Sequence, residues 1–222
     1  MTVQMQKELE KIKKRVLWLG AQVEEQLRAA IRSVSARDKA LAQKVIGSDE
    51  EIDRVEIEIE EECLKVIALN QPVAIDLRFL IAAIKINSSL ERIGDQAVNI
   101  AEKALELPDL PNKAPVVDFS FMQEKVLEMV KLALDALVNM DSDLAHKVWM
   151  MDDYVDEENR RIYNLTKENL RKSPDNTEEV LGCLLISRSL ERIGDLATNI
   201  AEDVIYMVGG DIVRHPFVAR KD

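Results

Sequence analysis

Carboxylates recur in this chain at a spacing that suits the binding of a cation. Glu91 and Asp95 lie in the phrase Ser89-Leu90-Glu91-Arg92-Ile93-Gly94-Asp95, which runs on to Asn99-Ile100-Ala101-Glu102. The phrase returns 100 positions later, with Glu191, Gly194 and Asp195 followed by Asn199-Ile200-Ala201-Glu202. Between 88–102 and 188–202, 12 of 15 positions are identical, whereas in the preceding 73–87 and 173–187 only Ile86 and Ile186 agree. Packing alone would have let both stretches drift equally. The Glu-x-x-x-Asp ends therefore carry a chemical constraint that their leading halves do not. A second acidic pair at the same spacing precedes each phrase, as Asp49 and Asp53, then as Asp152 and Asp156.

On a helix, residues four apart project from one face, a turn displaced. At ~100° per residue, Glu91, Asp95, Asn99 and Glu102 fall within a wedge of about 80°, with Leu90, Ile93, Ala97, Ile100 and Ala101 opposite. Gly94 costs about 1 kcal/mol of helix propensity against alanine. A glycine in both copies would let another backbone, or a bulky inorganic group, come close. If the helices bearing the two pairs are antiparallel neighbours, four carboxylates meet across one groove. They repel one another unless a cation neutralises them. Oxygen donors without thiolate or imidazole suit Fe³⁺, Mn²⁺, Mg²⁺ or Ca²⁺ better than structural zinc. One Glu-x-x-x-Asp has almost no specificity; two matched pairs in each of two units have much more. The competing readings are salt bridges to Arg92 and Arg192, a helix-dipole role for Asp49 and Asp152, and plain solvated faces.

The elements that must position these groups read as helices. Met5, Leu9, Ile12, Val16, Leu19, Val23, Leu27, Ala30 and Val34 step by three and four, the seam of a long packed helix. A break near Ser35–Asp38 leads into Ala40–Ile46, and Asp49 opens a charged helix that Asn70-Gln71-Pro72 ends. A third helix covers Val73 to Leu107. The proline-rich stretch at 108–117 is a linker, after which the plan repeats as Phe119–Met140, Leu144–Leu170 and Thr177–Val208. Asn176 and Glu179 suggest a capping box at the start of the last helix. At an offset of 103, Asp38, Leu41, Ala42, Lys44, Val45, Asp49 and Asp53 meet Asp141, Leu144, Ala145, Lys147, Val148, Asp152 and Asp156. The expected fold is therefore all-α, two tandem three-helix bundles formed by an internal repeat. The first bundle covers 1–107 and the second 118–210, with a tail at 211–222.

Composition narrows the function. Only 4% aromatic content with 7 Gly and 6 Pro points to helices, and a formal charge of −11 excludes a nucleic-acid surface. Cys63 and Cys183 stand in apolar helical stretches without a C-x-x-C partner and read as buried thiols. His146 faces Gln43 in the repeat, so the Glu-x-x-His di-iron pattern is missing; His215 belongs to the tail. Trp18 and Trp149 read as packing residues. No Gly-rich phosphate loop, Gly-x-Ser-x-Gly or Cys/His nucleophile pairing occurs. The N-terminus has no apolar signal region, and no apolar run approaches the ~20 residues of a membrane span. The expected location is cytoplasmic.

With its doubled Leu-Glu-Arg-Ile-Gly-Asp and Asn-Ile-Ala-Glu phrases and paired E(D)-x-x-x-D motifs, the chain resembles, over essentially its whole length, the PhoU family. These are accessory and regulatory proteins of bacterial phosphate-specific transport. The resemblance implies a non-enzymatic cytoplasmic adaptor that dampens phosphate uptake and the phosphate-starvation response. Its partners would be the phosphate transporter ATPase PstB and the sensor kinase PhoR, with the membrane reached only through them. It also implies metal ions at Asp49, Asp53, Glu91 and Asp95 and at Asp152, Asp156, Glu191 and Asp195, helped by Asn99 and Asn199. Multinuclear iron stands first, with manganese, magnesium, calcium or zinc as alternatives. Glu56 and Glu60 are replaced by Asn159 and Tyr163 in the second unit, so the two sites need not hold the same metal or nuclearity. The long first helix suits a homodimer. Two other functions stay open, a metal-free helical scaffold and a metal-dependent oxidase or hydrolase. The latter needs an open coordination position and a general base.

Overall fold

A computed structural model describes residues 3–108, 117–172, 177–210 and 213. The described residues form seven helices: α1 (Val3–Ala36), α2 (Lys39–Gly47), α3 (Asp49–Asn70), α4 (Ala74–Glu106), α5 (Ser120–Asn139), α6 (Ser142–Lys172) and α7 (Thr177–Gly209). They make two three-helix units, α1 with α2–α3 and α4, then α5 with α6 and α7. Most of the 108–117 linker, the 173–176 turn and most of the tail lie outside the described residues.

Each unit's first helix ends in the same way. Arg37 and Met140, at the repeat offset of 103, both take left-handed φ values of 53°. Asp38 N–H then reaches back to the Ser33 carbonyl at 3.0 Å, and Asp141 N–H to the Ala136 carbonyl at 2.9 Å. This is the backbone pattern that closes a helix C-terminus. The two aspartates at once cap the next helix. Asp38 accepts from Leu41 N–H at 2.9 Å, and Asp141 from Asp143 and Leu144 N–H at 2.8 and 3.0 Å. A chain reversal with a built-in cap thus makes the second helix antiparallel to the first in both units.

Beyond this turn the units differ. In the first, the helix breaks at Ser48, whose φ of −89° and ψ of −7° separate α2 from α3. Gly47 precedes the break, and Ser48 Oγ donates to the Val45 carbonyl at 2.7 Å. Both residue types weaken a helix interior. The second unit has Met150-Met151 there, and α6 runs unbroken. Asp49 consequently sits in a first helical turn and Asp152 inside a helix. A helix-dipole role is available to Asp49 and not to Asp152.

α4 and α7, the two helices carrying the acidic phrases, also pack on each other, and one apolar core runs through both units. Leu90, Ile93, Ala97, Ile100 and Ala101 are buried, as are Leu190, Ile193, Ala197, Ile200 and Ala201. Each Leu or Ile contributes roughly 1.5–3 kcal/mol by leaving water. Polar pairs that cross between the units include Arg37 with the buried Glu179 at 3.1 Å, Lys85 with the buried Asp203 at 3.3 Å, and Ser35 Oγ, which donates to Gln123 Oε1 at 3.3 Å. Glu179 Oε1 accepts from Arg37, and the expected capping box falls on Asn176, which lies outside the described residues. Trp18 and Trp149 are 43% and 40% exposed, so neither is the packing residue expected. Their positions on α1 and α6 fall off the buried stripes.

Candidate metal centres

Helical spacing brings each pair onto one face, and α3 against α4 brings the pairs together. In the first unit, burial first, then the neighbouring charges of Asp95, Asp53, Glu56 and Asp49, push Glu91 up to about 7. Asp49 and Asp95 are raised for the same reasons, burial ahead of repulsion. In the second unit, burial and then Asp195 and Asp156 push Asp152 up to about 6, and Glu191 and Asp195 are raised as well. Each seam therefore holds more negative charge than its surroundings solvate, a condition that a hard cation relieves. Among the described residues, no three Asp, Glu, His or Cys groups are already drawn around a single ion-sized point. The eight carboxylates Asp49, Asp53, Glu91, Asp95, Asp152, Asp156, Glu191 and Asp195 are brought to the two seams as coupled charges.

The glycines of the repeated phrase sit under the same three positions of their own units. A Cβ on Gly94 would lie 3.1 Å from Gln26 Oε1, 3.5 Å from Asp49 Oδ1 and 3.5 Å from Ile52. On Gly194 it would meet Val155 at 3.4 Å, Asp152 Oδ1 at 3.8 Å and Met129 at 3.8 Å. The close approach expected at the glycines is thus taken by side chains, the first carboxylate of each acidic pair among them. Gln26 and Met129 are repeat counterparts, and this is where the sites diverge. Gln26 Nε2 donates to Asp49 Oδ1 at 3.1 Å. Asp152 instead accepts from Thr198 Oγ1 at 3.5 Å, where the first unit has Val98.

A third difference lies one turn before each phrase. Buried Asn87 donates to the Glu56 carbonyl at 2.9 Å, leaving the Glu56 carboxylate beside the seam, where Glu60 and Asp53 help raise it after burial. In the second unit Ser187 donates to Asn159 Oδ1 at 2.5 Å instead. The first seam thus has an extra carboxylate and a buried Asn87 Oδ1 without a partner. The second has a closed neutral pair.

Asn99 and Asn199 are exposed a turn beyond Asp95 and Asp195. Gln26 and Thr198 were not singled out from the sequence. Gln26 could have been, since it follows Val23 by three on the apolar stripe of α1, a polar residue at a core position. His146 is exposed and bonds the Ser142 carbonyl at 2.7 Å. Cys63 and Cys183 are buried thiols, pushed up to about 12 and about 11 by burial.

Comparison with known proteins places this geometry in a family. The PhoU domain family model matches residues 16–104 and again 119–204. The phosphate-specific transport system accessory protein PhoU homolog of Pseudomonas putida is 39% identical over 96% of this chain and 83% of its own length. The crystal structure of PhoU from Pseudomonas aeruginosa has a TM-score of 0.89 and 38% identity, covering 93% of this chain and 99% of that one. That of the phosphate transport system regulatory protein PhoU from Streptococcus pneumoniae has a TM-score of 0.84 and 29% identity, covering 95% and 100%. Two matched domains on a shared tandem fold show that the chain belongs to the PhoU family of phosphate-transport accessory proteins.

Proposed function

We propose that the protein is a cytoplasmic, non-catalytic adaptor that restrains phosphate uptake and the phosphate-starvation response through contacts with the transporter ATPase PstB and the sensor kinase PhoR. It works as a homodimer and carries metal at both acidic seams. The observation that carries the metal reading is the pairing of coupled carboxylates in two units that otherwise differ: Glu91 and Asp152 are held furthest above ordinary carboxylates, by burial first and then by the other carboxylates of their own seams. Asp49, Asp53, Glu91 and Asp95 would hold the ion in the first seam, with Glu56 adjoining. Asp152, Asp156, Glu191 and Asp195 would hold it in the second. Bound there, a multivalent cation would supply charge neutralisation and tie the second helix of each unit to the third. Family membership and the lack, among the described residues, of a helix long and apolar enough to cross a membrane support a role beside the transporter rather than in the bilayer.

The cellular test is deletion. Phosphate uptake and phosphate-regulated transcription should lose their restraint in phosphate-replete medium, and unchanged levels of both would remove the proposal.

A further inference from the structure

The break between α2 and α3 leaves a groove of about 390 Å³ along α1, lined by Trp18, Gln22, Glu25, Arg28, Arg32 and Lys44. That is the size of a small-molecule site. In a chain of net charge −11 it gathers three cations, Arg28, Arg32 and Lys44, against two carboxylates, Glu25 and Glu51. Arg28 is half exposed while pairing with Glu24 at 2.7 Å. Neither Arg32 nor Lys44 has an acidic partner among the described residues. Trp18 offers an exposed indole at the other end.

From these features we infer that the groove binds a nucleoside polyphosphate. The order of groups along α1 matches the order of groups in such a ligand. Trp18 presents a flat aromatic surface for the base. Gln22 and Glu25, one and two turns on, present acceptors for ribose hydroxyls. Arg28 and Arg32 follow, with Lys44 across from them on α2, as donors to the phosphates. From Trp18 to Arg28 the helix rises about 15 Å, which base, sugar and phosphates together span. The repeat supplies an internal control. At the same offset of 103, the second unit has Phe121, Asp135 and an unbroken α6 in place of Trp18, Arg32 and the break. Lys131 and Lys147 keep the charges of Arg28 and Lys44, so what is particular to the first unit is the indole, Arg32 and the break, and the inference does not depend on the metal reading.

Calorimetric titration of the full chain with ATP, inorganic triphosphate and adenosine tests this. ATP should bind tightest. Trp18→Ala should bring ATP down to the affinity of triphosphate, and Arg32→Ala with Lys44→Ala should weaken both by about a hundredfold, about tenfold per lost charged contact. All three side chains are on the surface, so the variants should keep the helical circular dichroism of the parent. No heat with ATP overturns the proposal, as does equal affinity for ATP and triphosphate in the parent, or binding that the variants leave intact.

Discussion

Gln26 of α1 donates through Nε2 to Asp49 Oδ1 of α3 at 3.1 Å, while its Oε1 stays buried and unpartnered against Gly94 of α4. One side chain thus touches all three helices of the first unit at its acidic seam. Its counterpart, Met129, can do none of the hydrogen bonding. Replacing Gln26 by Met removes two hydrogen bonds, to Asp49 Oδ1 and, at 3.5 Å, to the Val45 carbonyl, together with one orphaned acceptor, so stability should change by about 1 kcal/mol or less. Asp49 loses the bond that holds its carboxyl down. Its titration midpoint, followed by NMR in metal-free protein, should rise while that of Asp152 stays put.

The two glycines should respond differently to alanine. Gly194→Ala meets only ordinary contacts and should stabilise the protein by up to about 1 kcal/mol through helix propensity. Gly94→Ala presses on Gln26 Oε1 at 3.1 Å, so that gain should be lost or reversed. Paired urea melts check the difference, and equal gains at both positions would contradict the packing described.

Metal-free protein should become less stable as the pH rises from about 5 to 7. Glu91 and Asp152 have folded values of about 7 and about 6, above ordinary carboxylates at 4.5 and 3.8. In that window the folded chain keeps protons that the unfolded chain has released, so unfolding gains from each rise in pH. Metal needs the ionised groups, so added metal should protect increasingly over the same range. Glu91→Gln with Asp152→Asn should flatten the slope in thermal melts across the window.

Glu179 is buried while pairing Arg37 between the units. Glu179→Ala leaves the partly shielded guanidinium without its partner and should cost about 1–3 kcal/mol. Glu179→Gln keeps a hydrogen-bond acceptor and should cost less. Chemical denaturation orders the two variants.

The sequence was most readable where chemistry and packing both left a period. The apolar seam of α1, the Asp38 and Asp141 turns and the opposite faces of α4 and α7 all follow from spacing. Contacts across the bundle were harder to see. Nothing in a linear string places Gln26 over Gly94, or Thr198 beside Asp152, because both depend on how three helices meet. Asn99 and Asn199 share the acidic stripe and stand exposed a turn beyond Asp95 and Asp195, as the spacing implies. The broken α2–α3 against the unbroken α6 turns on Gly47-Ser48 against Met150-Met151, a weak local signal in otherwise aligned stretches.

The most direct measurement is the metal content, by element and per chain, of protein purified without chelators, compared with the Asp95→Ala and Asp195→Ala variants. Occupied seams should give metal in the parent, a partial loss in each single variant and near-total loss in the double, with helical circular dichroism retained. Parent protein that emerges without metal and takes up no added iron, manganese or magnesium would contradict the account.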